Sequence, residues 1–304
     1  MNVVVVGAGA LGGYFGARLQ EIGANVTFLV RERRAVELDE HGLKIYSKHG
    51  DYSIEQPNVA TDPKSIPHAD LVLVGVKGYH LEGVLQPLKV LVANGAYVLP
   101  ILNGIEHIEV LQRHLGRKAV LGGLSFIIAT LNNKGHVVHT SDFHDLIFGP
   151  LHPVQRGICK KLESFVGEAN FSVSNSESIL TELWKKYMFI NAFSGITTAT
   201  NLSIGEVRAY PETFQLAKEV LQEMKYLANA NGANLSDDDV KEAEKKLHAL
   251  HAEATSSMHQ DRRKGLRLEL DHLHGGAIRL AERAGIDLSY TKAVYGMIKP
   301  FEKA

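Results

Sequence analysis

A run of valines near the start of the chain gives way to closely spaced glycines, and this transition constrains the fold more than any other feature. Residues 3–6 predict a strand buried on both faces, and the segment GAGALGG follows at residues 7–13. Gly7 permits a tight turn, Gly9 lets a phosphate approach the backbone, and Gly12 lets the next helix pack closely on the strand. The amides and the dipole at the helix start favour an anion. The sequence therefore predicts a dinucleotide-binding turn. Its cofactor contacts are expected at Gly7, Gly9, Ala10, Leu11 and Gly12.

Length and charge limit the classes of partner. A chain of 304 residues is long for a single core and indicates two domains. Its 33 basic and 34 acidic residues leave a net charge of −1, which provides no field for nucleic acid or an anionic membrane. No apolar run reaches the roughly 20 residues of a membrane helix, and no segment has the pattern of a signal sequence. We therefore expect a soluble, cytoplasmic protein whose partners are small molecules, with no nucleic acid and no membrane.

The fifteen histidines raise the question of a metal site. The closest spacings, His248-x-x-His251 and His272-x-His274, lack cysteine partners and the H-E-x-x-H pattern of zinc enzymes. We interpret these histidines as solvated helix residues and expect no metal. The single cysteine, Cys159, excludes an internal disulfide and is expected to pack within a helix.

The first half of the chain alternates apolar strands with helical stretches, which is typical of a parallel sheet covered by helices on both faces. Beyond about residue 177 the strand signals stop, and long helical patterns continue to the C-terminus. We predict an α/β fold in which a Rossmann-type, doubly wound parallel sheet over residues 1–176 binds the dinucleotide. An all-α C-terminal domain over residues 177–304 would supply the substrate and catalytic site.

The individual elements follow the same periodicities. Strands are predicted at residues 3–6, 25–30, 71–76, 97–102, 119–127 and 171–174, with a late hairpin at residues 137–139 and 146–148. Helices are predicted at residues 11–22, 80–88, 105–115, 154–166, 180–198, 213–231, 237–254, 268–285 and 290–298.

Three strand ends carry side chains that suit a cofactor, because ligands of an open parallel sheet bind at the carboxyl ends of its strands. Arg31 follows the second strand, Lys77 the third, and Asn103 with Gly104 the fourth. An acid after the second strand would bind the ribose of NAD, whereas a cation would meet the extra phosphate of NADP. Glu32 keeps NAD as an alternative, but Arg31 comes first and favours NADPH. The competing interpretations are surface cations at the first two positions and an ordinary turn at the third.

The helix predicted at residues 180–198 contains two adjacent lysines in an apolar segment. Lys185 and Lys186 lie about 100° apart around a helix, so both cannot share its exposed face. A lysine held among apolar side chains loses hydration, which lowers its pKa toward the range useful for proton donation. Snorkelling of the lysine to solvent is the alternative.

Further along, Ser257-x-x-Gln260 predicts a capping box at a helix start. A helix start is also a good position for a substrate carboxylate, so the two roles are compatible. Glu269, taken alone, is expected to be an exposed acid.

In this order the motifs resemble the ketopantoate reductase family (2-dehydropantoate 2-reductase) over essentially the whole chain. That family reduces the ketone of 2-dehydropantoate to D-pantoate with NADPH, in pantothenate and coenzyme A synthesis. The matching positions are the glycine turn, Arg31, Lys77, Leu102-Asn103-Gly104, Leu183-Trp184-x-Lys186, Ser256-Ser257-Met258-x-Gln260-Asp261 and Glu269-x-Asp271.

The resemblance implies a role for each of four residues. Lys186 would be the general acid that protonates the carbonyl oxygen as hydride arrives, and Glu269 would bind substrate and assist it. Asn103 would bind substrate and cofactor and orient the reacting groups, and Ser257 would hold the carboxylate. Such a division suits the chemistry, because a cation beside the developing alkoxide stabilises the transition state more than the ground state.

One departure from the family pattern concerns the substrate. Some members have asparagines four and eight residues after the lysine, whereas this chain has Ile190 and Ser194. Ser194 is retained as a substrate-binding candidate, and the identity of the 2-keto acid stays open. The alternatives are a reductase of another small 2-keto acid and a catalytically silent NADPH-binding regulator. The helical half could also form a homodimer face.

The paired roles of Ser257 and Glu269 carry a geometric expectation. Twelve residues separate them, which is roughly 18 Å along a straight helix and too far for a small keto acid to bridge. We therefore predict a short helix or turn near Ser257, an interruption at residues 264–266 around Gly265, and a new helix from near Leu268.

Overall fold

In the computed structural model, which describes residues 1–303, the valine-rich strand β1 (Asn2–Val6) lies at the centre of a parallel sheet. The sheet has the strand order β5-β2-β1-β6-β7. Its other members are β2 (Asn25–Leu29), β5 (Asn58–Ala60), β6 (Leu71–Val74) and β7 (Tyr97–Pro100). All four strand pairs are parallel, as predicted. The order reverses between β1 and β6, where open α/β sheets bind their ligands.

Helices cover both faces of this sheet. Val3 and Val5 of β1 belong to one apolar core and Val4 and Val6 to another, because successive side chains of a strand point to opposite faces. The helices of this part are α1 (Ala10–Glu21), α2 (Glu32–His41), α3 (Leu81–Ala93), α4 (Glu106–Leu115) and α5 (Arg156–Val166).

A second, mixed sheet corrects part of the prediction. It has the order β10-β9-β3-β4, with β8 also paired to β9. The predicted hairpin at residues 137–139 and 146–148 is wrong, because both segments belong to one strand of 13 residues. Strand β8 pairs antiparallel with both ends of that strand, and the register shifts at its polar middle, where the amide of Ile128 donates to Ser141 Oγ at 2.9 Å. The strands are β3 (Leu43–Ser47), β4 (Tyr52–Ile54), β8 (Gly122–Leu131), β9 (Val137–Gly149) and β10 (Ser172–Asn175).

Contacts divide the described chain into two units. The first comprises Met1–Leu102 and His107–Ile179. The second comprises Asn103–Glu106 and the chain from Leu180 onward. A short segment from the first half of the sequence thus belongs to the helical unit, which a single boundary at residues 176 and 177 does not describe.

Beyond β10 the described residues contain helices and turns without strands. Ser236 caps α9 and forms a reciprocal pair with Asp239, which fixes the start of this helix. Within the described chain, helices with both the length and the apolar composition of a membrane span are absent. The helices are α6 (Ile179–Thr200), α7 (Ile204–Arg208), α8 (Pro211–Ala230), α9 (Asp237–Ala249), α10 (Ser257–Arg263), α11 (Gly276–Ala284) and α12 (Ser289–Ile298).

The predicted break between Ser257 and Glu269 is confirmed. Helix α10 ends at Arg263, and Gly265 has a φ of +64°, which favours glycine. Residues 266–269 belong to no helix or strand. A π-helical turn (Asp271–Gly275) then leads into α11, in place of the continuous α-helix predicted at residues 268–285.

Candidate functional site

The glycines between β1 and α1 serve two different purposes. Gly7 has a φ of +91°, and a Cβ there would lie 2.7 Å from Val76 Cγ1. A Cβ on Gly12 would lie 2.1 Å from the carbonyl oxygen of Gly7. The fold itself therefore requires both glycines. A Cβ on Gly9, by contrast, would meet no protein atom closer than 4.0 Å, so this glycine leaves open space beside the start of α1.

The start of α1 suits an anion. Gly9 is the N-cap and makes no side-chain capping bond, and the first turn contains no acidic residue. Ala10 and Leu11 begin the helix, and amides in a first turn have no acceptor within the helix. Open space beside amide donors is what a pyrophosphate requires, so the turn fits the predicted cofactor.

Arg34 supports this turn, a role that the sequence analysis missed. Its Nε donates to the carbonyl oxygen of Ala8 at 3.0 Å, and one terminal nitrogen donates to the carbonyl oxygen of Gly135 at 2.7 Å. Glu37 pairs with the other terminal nitrogen at 3.1 Å. Because the Ala8 and Gly135 partners are 26 and 101 residues away along the chain, no local pattern could have indicated this contact.

The predicted phosphate-binding cations follow β2 and β6, the two strands that flank β1. Arg31 is exposed and immediately precedes α2. A terminal nitrogen of Arg31 is 3.4 Å from His80 Nδ1. The amide of His80 donates in turn to the carbonyl oxygen of Lys77 at 2.8 Å, and Lys77 is half-buried. The segments that follow β2 and β6 are thus in contact.

The two adjacent lysines on helix α6 have different surroundings, as their angular spacing predicts. Lys185 forms an ion pair with Asp239 at 2.9 Å. Lys186 is only 7 % exposed, and burial lowers its pKa to about 8. The charge of Glu269 opposes that shift. Glu269 is itself buried, so the expectation of an exposed acid is wrong. Lys186 and Glu269 are therefore brought together in the helical unit.

The helix cap near Ser257 lies one residue earlier than predicted. Ser256 Oγ accepts from the amide of His259 at 3.1 Å, whereas Ser257 is exposed as the first residue of α10. The predicted reciprocal bond of Gln260 goes to Thr255 Oγ1 instead. Ser194, on α6, is buried and donates to Ser256 Oγ at 3.0 Å. Its hydroxyl thus holds the cap of α10.

The segment that carries Asn103 is held by two residues that the sequence analysis did not assign to the site. Its carbonyl oxygen accepts from His272 Nε2 at 2.7 Å. Three residues later, Glu106 forms a bidentate pair with Arg279, with separations of 3.1 and 2.7 Å. The interpretation of His272 and His274 as solvated is wrong. His274 is fully buried and donates to the carbonyl oxygen of Asn191 at 3.0 Å.

His248, His251 and Cys159 lie outside the segments of the candidate site described above. His248 and His251 are exposed, as expected for solvated residues. Cys159 is buried in α5, and burial raises the pKa of its thiol to about 11. The prediction of a packing residue is confirmed, because the thiol stays protonated and unreactive at neutral pH.

Two family models together cover nearly the whole chain. The model described as ketopantoate reductase PanE/ApbA matches residues 3–153, and its C-terminal counterpart matches residues 178–302. A Bacillus subtilis protein named uncharacterized oxidoreductase YkpB is 33% identical over 302 residues, which are 99% of either chain.

Solved structures share the fold. The crystal structure of 2-dehydropantoate 2-reductase from Geobacter metallireducens has a TM-score of 0.90 and 26% identity, over 99% of both chains. A ternary structure of D-mandelate dehydrogenase with NADH and anilino(oxo)acetate has a TM-score of 0.89 and 21% identity, over 99% of this chain and 98% of that one. The predicted α/β fold with a helical C-terminal part is confirmed. By both family models, the chain belongs to the ketopantoate reductase PanE/ApbA family of NAD(P)-dependent oxidoreductases.

Proposed function

We propose that this protein reduces 2-dehydropantoate to D-pantoate with NADPH, in pantothenate and coenzyme A synthesis. The observation that carries the proposal is the state of Lys186. This lysine is buried, it interacts with the charge of Glu269, and burial lowers the pKa of its ammonium group to about 8. Such a lysine remains mostly protonated at neutral pH and gives up its proton readily. Membership of a family of 2-keto acid reductases supports the reaction class.

The lysine provides the proton that the reaction requires. When bound, NADPH supplies a hydride to the carbonyl carbon of the substrate. As the carbon–oxygen π bond opens, Lys186 Nζ transfers a proton to the oxygen and becomes a neutral amine, which regains its proton from solvent. Its positive charge also stabilises the developing alkoxide, and the Glu269 carboxylate favours the charged lysine before the transfer.

Residues of the helical unit bind the rest of the substrate. Asn103 orients the ketone, and the exposed hydroxyl of Ser257 at the start of α10 binds the carboxylate. Ser194 acts through the cap at Ser256. Ile190 lies one helical turn after Lys186 and is half-buried, so it presents an apolar surface on that side. This apolar surface favours a second candidate function, reduction of a different small 2-keto acid with a more apolar side chain.

The N-terminal turn binds the cofactor. The backbone at Gly9, Ala10 and Leu11 holds the pyrophosphate, as the open space at Gly9 allows. The exposed guanidinium of Arg31 binds the 2′-phosphate that distinguishes NADPH from NADH, and Lys77 adds a second cation.

The test is steady-state kinetics with a panel of 2-keto acids and both nucleotides. We expect the highest kcat/KM with 2-dehydropantoate and NADPH. Another 2-keto acid reduced much faster would establish the second candidate function. Binding of NADPH without turnover of any 2-keto acid would contradict both and indicate a regulator.

Arg31 has a matched control in Arg33, whose side chain is 92% exposed and pairs with Glu37. Arg31→Ala should raise the KM for NADPH about tenfold or more and leave the KM for NADH within twofold, because only NADPH carries the extra phosphate. Arg33→Ala should change neither value. Equal effects of Arg31→Ala on both nucleotides would exclude phosphate recognition by this residue.

A further inference from the structure

The segment that carries Asn103 is held by a side chain far away in the sequence. Asn103 and His272 are 169 residues apart, and His272 Nε2 lies 2.7 Å from the carbonyl oxygen of Asn103. A carbonyl oxygen only accepts, so Nε2 carries the proton of this hydrogen bond.

The fit between ring and turn is close. Gly104 has a φ of +87°, and a Cβ there would lie 3.1 Å from His272 Nε2. Only glycine combines this backbone conformation with such an approach to the ring. The position of Asn103 is thus set by direct packing of its turn on His272 as well as by the hydrogen bond.

His272 belongs to the π-helical turn, which also contacts the neighbours of the general acid. The amide of Leu273 donates to the carbonyl oxygen of Glu269 at 2.9 Å. Tyr187, next to Lys186, donates its hydroxyl proton to the carbonyl oxygen of Leu273. π-Helical turns within α-helices are frequent at functional sites, because the extra residue redirects the side chains around it. Here the π-helical turn contacts the segments that carry Asn103, Lys186 and Glu269.

We propose that His272 is a positioning residue that fixes Asn103 relative to Lys186 and Glu269 for substrate binding, an inference that rests on the proposed function. The ion pair between Glu106 and Arg279 is a separate attachment of the same segment. Loss of the imidazole therefore leaves the segment attached while the Asn103 end is free to shift.

The test compares His272→Ala, His272→Gln and His248→Ala in the full-length protein. We expect His272→Ala to lower kcat/KM for the 2-keto acid about tenfold, mainly through KM, with the Kd for NADPH unchanged. His272→Gln should recover most of this loss, because its amide also donates a hydrogen bond. His248 lies exposed on α9, and its replacement should have no effect.

A double-mutant cycle with Asn103→Ala shows whether the effect passes through Asn103. If it does, His272→Ala lowers kcat/KM about tenfold in the wild-type background and less than twofold in the Asn103→Ala background. Additive losses would overturn the inference, as would wild-type kinetics for His272→Ala. If the alanine variant fails to fold, His272→Asn takes its place in the cycle, since its shorter side chain cannot reach the carbonyl oxygen. An inactive wild-type protein would instead overturn the proposed function, and this inference with it.

Discussion

Two adjacent lysines on α6 differ in chemistry because they differ in surroundings. Lys185 is paired with Asp239, and this pairing raises its pKa. Lys186 is buried, which lowers its pKa to about 8. Desolvation penalises the charged form, whereas an ion pair favours it. One helix therefore carries both an ion-paired lysine with a raised pKa and a buried lysine with a lowered pKa.

This contrast gives a matched pair of variants. Lys186→Ala should lower kcat by about 10²- to 10⁴-fold, because it removes general-acid catalysis, and should leave the Kd for NADPH within twofold. Lys185→Ala removes the neighbouring charge and should retain near-wild-type kcat. Pre-steady-state and steady-state assays of both variants provide the measurement. Comparable turnover in Lys186→Ala would end its assignment as the acid.

The same lysine sets an expected pH dependence. A general acid must be protonated, so kcat/KM should be level below pH 8 and fall about tenfold per pH unit above it. Glu269 raises the pKa of Lys186, so in Glu269→Gln the fall of kcat/KM, the alkaline limb of the profile, should begin at lower pH. Profiles of kcat/KM from pH 6 to 10 test both statements. A limb at the same pH in Glu269→Gln would show that the carboxylate does not act on this group.

At the scale of elements, two adjacent serines at the start of α10 are expected to have different roles, one in stability and the other in substrate binding. Ser256 caps the helix and accepts from Ser194, whereas Ser257 is exposed. Ser256→Ala should lower the free energy of unfolding by about 1–3 kcal/mol, because it removes a cap and leaves a buried hydroxyl without its acceptor. Ser257→Ala should change stability by less than about 0.5 kcal/mol and raise the KM for the keto acid. Urea denaturation and steady-state kinetics of the two variants provide the test. A larger loss of stability in Ser257→Ala than in Ser256→Ala would show that Ser257 caps the helix.

Elements with strong local signals could be predicted, and those that depend on distant pairing could not. The turn at Gly7 and the break at Gly265 follow from glycine chemistry in the sequence itself. Helix α2 was missed because Leu38 is its one buried residue, which leaves no apolar periodicity. Strand β9 was divided in two because its polar middle has no apolar pattern, and the bond there from the Ile128 amide of β8 to Ser141 Oγ joins distant residues.

The candidate site shows the same division between local and distant information. Lys186 stood out because a charge interrupts an apolar helix. The sequence did not indicate a role for His272, because its contact is with Asn103, 169 residues away along the chain. For the same reason the sequence could not indicate that Asn103–Glu106 belongs to the helical unit. Only tertiary contacts show where that segment lies.

At the scale of the whole molecule, buried histidines predict a response to acid. His144 stacks on His49 with ring centroids 4.0 Å apart and makes a 2.6 Å hydrogen bond with the hydroxyl of Tyr14. His259 bonds the side chain of Asn201, and His274 a backbone carbonyl. Burial is the main reason that the pKa of each of these three histidines is lowered to about 4.

Stability should therefore fall as the pH falls from about 6.5 toward 4. Over this range the unfolded chain binds protons at these histidines while the folded chain does not, so the free energy of unfolding rises with pH. Each histidine contributes up to about 1.4 kcal/mol per pH unit. Denaturant titrations at pH 7.5, 6 and 5 should show a progressive loss, and His144→Gln should flatten the dependence while His248→Gln, at an exposed position, should not. A free energy of unfolding that stays constant between pH 7.5 and 5 would contradict this, because it would mean that the histidines bind protons equally in the folded and unfolded chains.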